Sequence, residues 1–145
     1  MNIIQKPCAE VNYSKGRSGY KIQALVIHIV QGTVAGTDSW FATPRPDKPT
    51  SAHYIVSKTG EIHQYVMDED EAYHAGIIDH PTCASWITKQ NPNLVSIGIE
   101  NEGFLGEKWT EAQMVSLCIL VDNICTHYNI LQDTEHIISH SAITS

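Results

Sequence analysis

The sequence predicts a single-domain α/β protein, and three observations carry that reading. Short runs of β-branched residues recur along the chain, one long amphipathic helix stands near its C-terminal end, and 145 residues suit one domain. Hydrophobic residues make up 42% and charged residues 17%, a globular composition. The formal net charge of −7 opposes a polyanionic partner, so nucleic acid is not expected. No run approaches the ~20 apolar residues of a membrane span, so a membrane is not expected either.

Residues 1–23 end in a polar SKGRSGYK stretch and read as an N-terminal arm before a domain at 24–145. No basic segment followed by an apolar one opens the chain, so no signal peptide and cytoplasmic synthesis are expected. Residues 25–30 form a continuous apolar run of strand length, interrupted by His28, which suits a strand covered on both faces; Gly32 and Gly36 close it. Three prolines make residues 43–51 a loop. Residues 52–66 read as a hairpin whose two β-rich arms flank Lys58, Thr59 and Gly60. The acidic run 68–71 reads as a solvated loop or short helix, and residues 73–94 as a long surface loop.

Residues 95–101 (VSIGIEN) form another short strand, in which Gly98 allows a close backbone approach. The clearest helix starts at Thr110, where Thr110 and Gln113 match a capping box. Met114, Leu117, Cys118, Val121, Ile124, Cys125 and Tyr128 then give one apolar stripe, and Asn129 ends it. Residues 136–139 (HIIS) are a last strand. The four cysteines show no CxxC pair, and Cys118 and Cys125 read as small core residues, which fits a reducing compartment.

Eight histidines, nearly as many as the nine Lys and Arg together, are the unusual entry in the composition. His28 lies inside a buried-type strand and His140 follows the apolar pair Ile137 and Ile138. Two readings are open for such a pair: core histidines bonded to backbone, or rigidly held imidazoles for a divalent metal such as zinc. Glu100 shares a strand face with Gly98 and opposes Ile97 and Ile99. It reads either as a solvated strand-end carboxylate or as one reaching an open cavity.

Five blocks then occur in order: LVIHIVQG at 25–32, AHYIVSKTGEIHQYV at 52–66, AYHAG at 72–76, SIGIENEG at 96–103 and IISHSAIT at 137–144. Together they resemble the zinc-dependent N-acetylmuramoyl-L-alanine amidases, a family that includes phage lysins, the cell-wall recycling amidase and the peptidoglycan recognition proteins. The resemblance runs from about Ala24 to the C-terminus. It implies a central mixed β-sheet flanked by helices, zinc held by His28 and His140, and Glu100 as general base. A branch of the family has Tyr just before the His-aromatic pair; Ala52 stands there, so this chain resembles the branch that uses Glu.

The resemblance also implies that His74 lines the substrate groove, with His53 near it. The long polar loops at 36–50 and 73–94 would wall that groove, and Trp40 and Trp86 could stack on sugar or peptide. His63, His80, His127 and His136 have no motif partner and read as structural or solvated. The implied substrate is peptidoglycan, cut at the amide between the lactyl group of N-acetylmuramic acid and L-alanine, by a monomer acting on the wall or on cytosolic muropeptides. In the family a third metal ligand, Cys or Asp in a K-x-C/D-P segment, closely follows the second histidine, with an oxyanion-stabilising lysine just before it. This sequence stops at Ser145 before such a segment, and the expectation is an excised part of a longer lysin or wall enzyme. A non-catalytic peptidoglycan-binding module and a plain α/β domain with structural histidines are the alternatives.

Overall fold

The computed structural model describes residues 1–83 and 89–144. Its centre is a six-stranded mixed sheet in the order β1-β5-β4-β7-β3-β8. The strands are β1 (Ile3–Gln5), β3 (Ala24–Ile29), β4 (Tyr54–Val56), β5 (Ile62–Gln64), β7 (Ser96–Asn101) and β8 (Ile137–Ser139). Only the β4–β5 pair is antiparallel, being the hairpin foreseen around Lys58 to Gly60. Every other pairing is parallel. Two further short strands, β2 (Tyr13–Ser14) and β6 (Glu71–Ala72), pair antiparallel beside this sheet.

Alternation along the strands gives the two faces different tasks. Leu25, Tyr54, Val56, Ile62, Ile97 and Ile99 face the long helix α3 (Glu111–Tyr128) and form the main core with its Leu117, Leu120, Val121, Ile124 and Cys125. The opposite face carries Val26 and His28 of β3 beside Gly98 and Glu100 of β7, their register partners. Helix α1 (Val34–Ala42) and a short helix α2 (Pro92–Val95) lie on either side of that second face. No helix among the described residues is long and apolar enough to cross a membrane.

The arm at 1–23 packs onto the domain, with β1 extending the sheet along β5 and Arg17 buried. Several local expectations are corrected. Residues 34–42 are helical rather than loop: Thr33 caps the first turn by accepting from Gly36 N, and Glu102 Oε1 accepts from Val34 N at 3.1 Å. The acidic run is not solvated throughout, since Asp70 and Glu71 are buried and Asp68 accepts from the Tyr54 and Tyr128 hydroxyls. On α3 the buried stripe is centred on Gln113, Leu117, Leu120, Val121 and Ile124, leaving Met114 and Cys118 exposed.

Thr110 does cap α3, accepting from Gln113 N at 3.0 Å. The reciprocal half of the box is absent, because the Gln113 amide donates instead to Val56 O and Glu102 O. Thr110→Ala is therefore expected to cost about 0.5–2 kcal/mol, read from urea unfolding, since the first-turn N–H loses its acceptor. Asn129 ends the helix in the left-handed conformation, with φ 55°.

Candidate active site

Parallel strands place their C-terminal ends together, and open α/β sheets bind ligands beyond those ends. Here β3, β7 and β8 run parallel at the sheet's centre and edge. His28 is the fifth residue of β3, Glu100 the fifth of β7 and His140 the residue after β8. The register pairs His28 with Glu100 directly. Residues 72 and 112 positions apart in sequence are thereby brought to one end of the sheet.

The imidazoles form a file. His140 and His28 have ring centroids 4.8 Å apart, His28 and His74 5.2 Å, and His74 and His53 5.8 Å. His28 Nε2 lies 3.0 Å from His74 Nδ1. His74 lies flat against Gly98, where an added Cβ would sit under 3.0 Å from three atoms of the ring. The close approach foreseen at Gly98 is thus made by a side chain from a loop, not by another backbone. Asn93 Oδ1 accepts from both His74 N and Ala75 N and sets the path of that loop.

Burial keeps three of these rings, those of His28, His74 and His53, uncharged. His28 sits well below the ordinary histidine range through desolvation, with His74 and His140 adding to the effect. His74 is lowered for the same first reason, with His53 and Arg17 beside it. His53 is pushed down to about 3 by desolvation and then by the Arg17 cation. Its Nδ1 accepts from Gly98 N at 3.1 Å, and its Nε2 stands 3.0 Å from Asp70 O and 2.9 Å from Arg17 Nη2.

His53 has no exposed surface and His74 is 7% exposed. Against the expectation of His74 lining a groove with His53 near it, both are buried, His74 beside His28 and His53 behind His74. Trp40 does face open space. It is half exposed on α1, with the Arg45 guanidinium stacked 3.0 Å from its ring centre. It lines a cavity of about 420 Å³ together with Val30, Thr33, Thr37, Phe41 and Glu100. Trp86 lies outside the described residues. His63 is tied into the fold between Asp38 of α1 and Glu61.

Glu100 is the one carboxyl on this cavity, and its Oε2 is buried with no hydrogen-bond partner among the described residues. Desolvation pushes its pKa up to about 7. A carboxyl poised there can accept a proton near neutral pH and give it back.

Zinc needs imidazole nitrogens with a free lone pair, held rigidly. His28 is held neutral, and His140 commits its Nε2–H to Ala75 O at 3.1 Å, so Nδ1 is the ring nitrogen it has to offer a metal. These two residues fit a zinc ion. Among the described residues no group of three or more His, Cys, Asp and Glu side chains is arranged to hold a metal. Sequence reasoning missed Ser96, Arg17 and Asn93, which reach the file from distant segments and match none of the motif blocks' functional positions.

Fold and site together define a class: an α/β protein with a histidine-and-carboxyl centre at the ends of its inner parallel strands. The chain belongs to the N-acetylmuramoyl-L-alanine amidase family, whose model matches residues 18–145. It is 30% identical over 125 residues to N-acetylmuramoyl-L-alanine amidase A of Achromobacter lyticus, covering 84% of this chain and 60% of that protein. The structure of a selenomethionine AmpD derivative superposes with a TM-score of 0.79 at 24% identity, over 98% of this chain and 83% of that one. The Escherichia coli N-acetylmuramyl-L-alanine amidase AmiD, solved with the substrate anhydro-N-acetylmuramic acid-L-Ala-D-γ-Glu-L-Lys, superposes at 0.64 with 27% identity, over 88% of this chain and 50% of that one. The chain spans three-fifths or less of the length of the curated relatives it matches.

Proposed function

We infer that this chain is a zinc-dependent amidase that hydrolyses the amide joining the lactyl group of N-acetylmuramic acid to L-alanine in peptidoglycan. The observation that carries the reading is Glu100: a buried carboxyl oxygen without a partner, on the wall of an open cavity, in register with a buried imidazole. Family membership and the substrate named for AmiD supply the bond to be cut. His28 and His140 would hold the metal, which when bound supplies Lewis acidity to the scissile carbonyl and acidifies the attacking water.

The chain's own groups do the rest. Ionised Glu100 takes a proton from the attacking water as the new C–O bond forms. The same carboxyl then delivers that proton to the alanine nitrogen as the C–N bond breaks, giving a lactyl carboxylic acid and a free amine. Trp40, backed by Arg45, offers a flat apolar surface beside Glu100 on which a sugar or peptide can lie. In this reading the protein is a monomer made in the cytoplasm, acting on the cell wall or on muropeptides.

Mass spectrometry of defined muropeptides incubated with the chain and zinc tests this. Release of stem peptide with a free L-alanine amine is the expected result. Turnover should vanish on chelation and return with zinc. Intact muropeptide from a chain that retains zinc would overturn the reading. Binding without cleavage would then favour the recognition-module alternative, which draws on the lack of a third ligand among the described residues.

A further inference from the structure

We propose that Ser96 and His74 are positioning residues that fix the proton on Nε2 of His28, so that His28 and His140 offer the same ring nitrogen, Nδ1, to a metal. The inference deepens the zinc reading above and rests on it for its purpose. It is read from hydrogen bonds, followed outward from a group that can only accept, between rings that burial keeps neutral.

That group is the Pro92 carbonyl of α2. Ser96 Oγ lies 2.6 Å from it, so the hydroxyl proton is donated there. Toward His74 Nε2, 3.3 Å away, Ser96 Oγ is left as an acceptor, and His74 must carry its proton on Nε2. A neutral imidazole has one ring proton, so His74 Nδ1 is bare and can only accept. The donor across the 3.0 Å contact is then Nε2–H of His28. His28 Nδ1 is left with its lone pair.

His140 commits the same ring nitrogen by a shorter route, its Nε2–H donating to Ala75 O. The two rings stand 4.8 Å apart, both with Nε2 committed to the protein behind them. Metal-bound histidines commonly have the second nitrogen held in this manner, which sets both tautomer and ring orientation. The relay has a firm base. Arg17 Nη1 donates to Asn93 O, Leu94 O and Ser96 O, which fixes the α2–β7 junction that supplies both the Pro92 carbonyl and Ser96. His74 is held in place from the other side by Gly98, against which its ring is packed.

The test uses the metal-free chain labelled with ¹⁵N-histidine. Long-range ¹H–¹⁵N spectra should show His28 protonated on Nε2 in the unaltered protein. In Ser96→Ala the His74 Nε2–H loses its acceptor, so both rings can reverse their protons, and His28 should shift wholly or partly to the Nδ1–H form. Zinc affinity, read by competition with a chromogenic chelator, should fall at least tenfold in that variant. Ser96→Thr keeps the hydroxyl and should restore both readouts.

A His28 protonated on Nδ1 in the unaltered chain would overturn the proposal, whether or not Ser96→Ala folds. An unchanged tautomer and unchanged zinc affinity in a folded Ser96→Ala would overturn it too. Should the unaltered chain bind no zinc, the zinc reading falls, and the spectra alone decide the relay.

Discussion

Replacing Glu100 by Gln is expected to lower kcat about 10²- to 10⁴-fold, with KM for a muropeptide nearly unchanged. Gln keeps the size and shape of the side chain and removes the one carboxyl that the described residues place on the cavity wall, the group proposed to accept the water's proton. Steady-state kinetics on a defined muropeptide check this. A Gln variant within tenfold of the unaltered chain would remove Glu100 from the base role. The carboxyl must be ionised to act, so turnover should rise with pH as the proton leaves. A bound cation favours the ionised form, so the rise in the zinc-loaded protein should lie below the value of about 7 to which burial alone raises the carboxyl.

The same carboxyl has a stability signature in the zinc-free chain. Its pKa is raised on folding from 4.5 to about 7, so the folded state holds a proton that the unfolded chain has already released. Its contribution is fully present below pH 4.5 and is lost as pH rises through 7, by roughly 3 kcal/mol. Histidines oppose it: those held below 6.5 favour the fold above that pH and destabilise it as pH falls toward the folded value, about 3 for His53. Subtracting the urea-unfolding free energy of Glu100→Gln from that of the unaltered chain at each pH isolates the carboxyl. The difference should decline between pH 4.5 and 7, and a flat difference would contradict the buried, unpartnered state of Glu100.

The parts of this site legible in the sequence are those where local pattern and chemistry coincide. His28 and Glu100 each break an apolar strand one residue from its end, and parallel pairing turns those equivalent positions into neighbours. His140 stands after its strand for the same reason. Helix α1 was hidden because Thr33, Thr37, Asp38 and Ser39 around Gly36 are poor helix formers. What holds it is tertiary: Glu102 accepts from its first N–H, and Phe41 packs against Tyr65. The phase of α3 reads toward Met114 in the sequence because a polar Gln113 suggests exposure, yet its amide bridges the carbonyls of Val56 on β4 and Glu102 just past β7 and is fully buried. The file behind His28 was invisible for a third reason. Arg17, His53, His74 and Ser96 come from four segments, and nothing local relates a serine at a strand's start to a histidine 22 residues earlier.

Gly98→Ala should damage both the fold and the site although it adds a single methyl. The new Cβ would lie under 3.0 Å from three ring atoms of His74, a ring hemmed in by its neighbours. His28 stands at its Nδ1, Ser96 at its Nε2, and His53 flanks it. Overpacking of this kind costs about 1–3 kcal/mol when neighbours yield, and here yielding means pulling His74 away from His28. Two losses are therefore expected together in urea unfolding and chelator competition: reduced stability, and weaker zinc binding because His28 no longer has its partner. Gly32→Ala is the matched control, since its Cβ would meet nothing within 4 Å, and its unfolding free energy should stay within about 0.5 kcal/mol. If Gly98→Ala unfolds like Gly32→Ala and keeps its zinc affinity, the histidine file is not what holds His28. A stability loss with full zinc affinity would separate the two roles, leaving Gly98 as a packing position only.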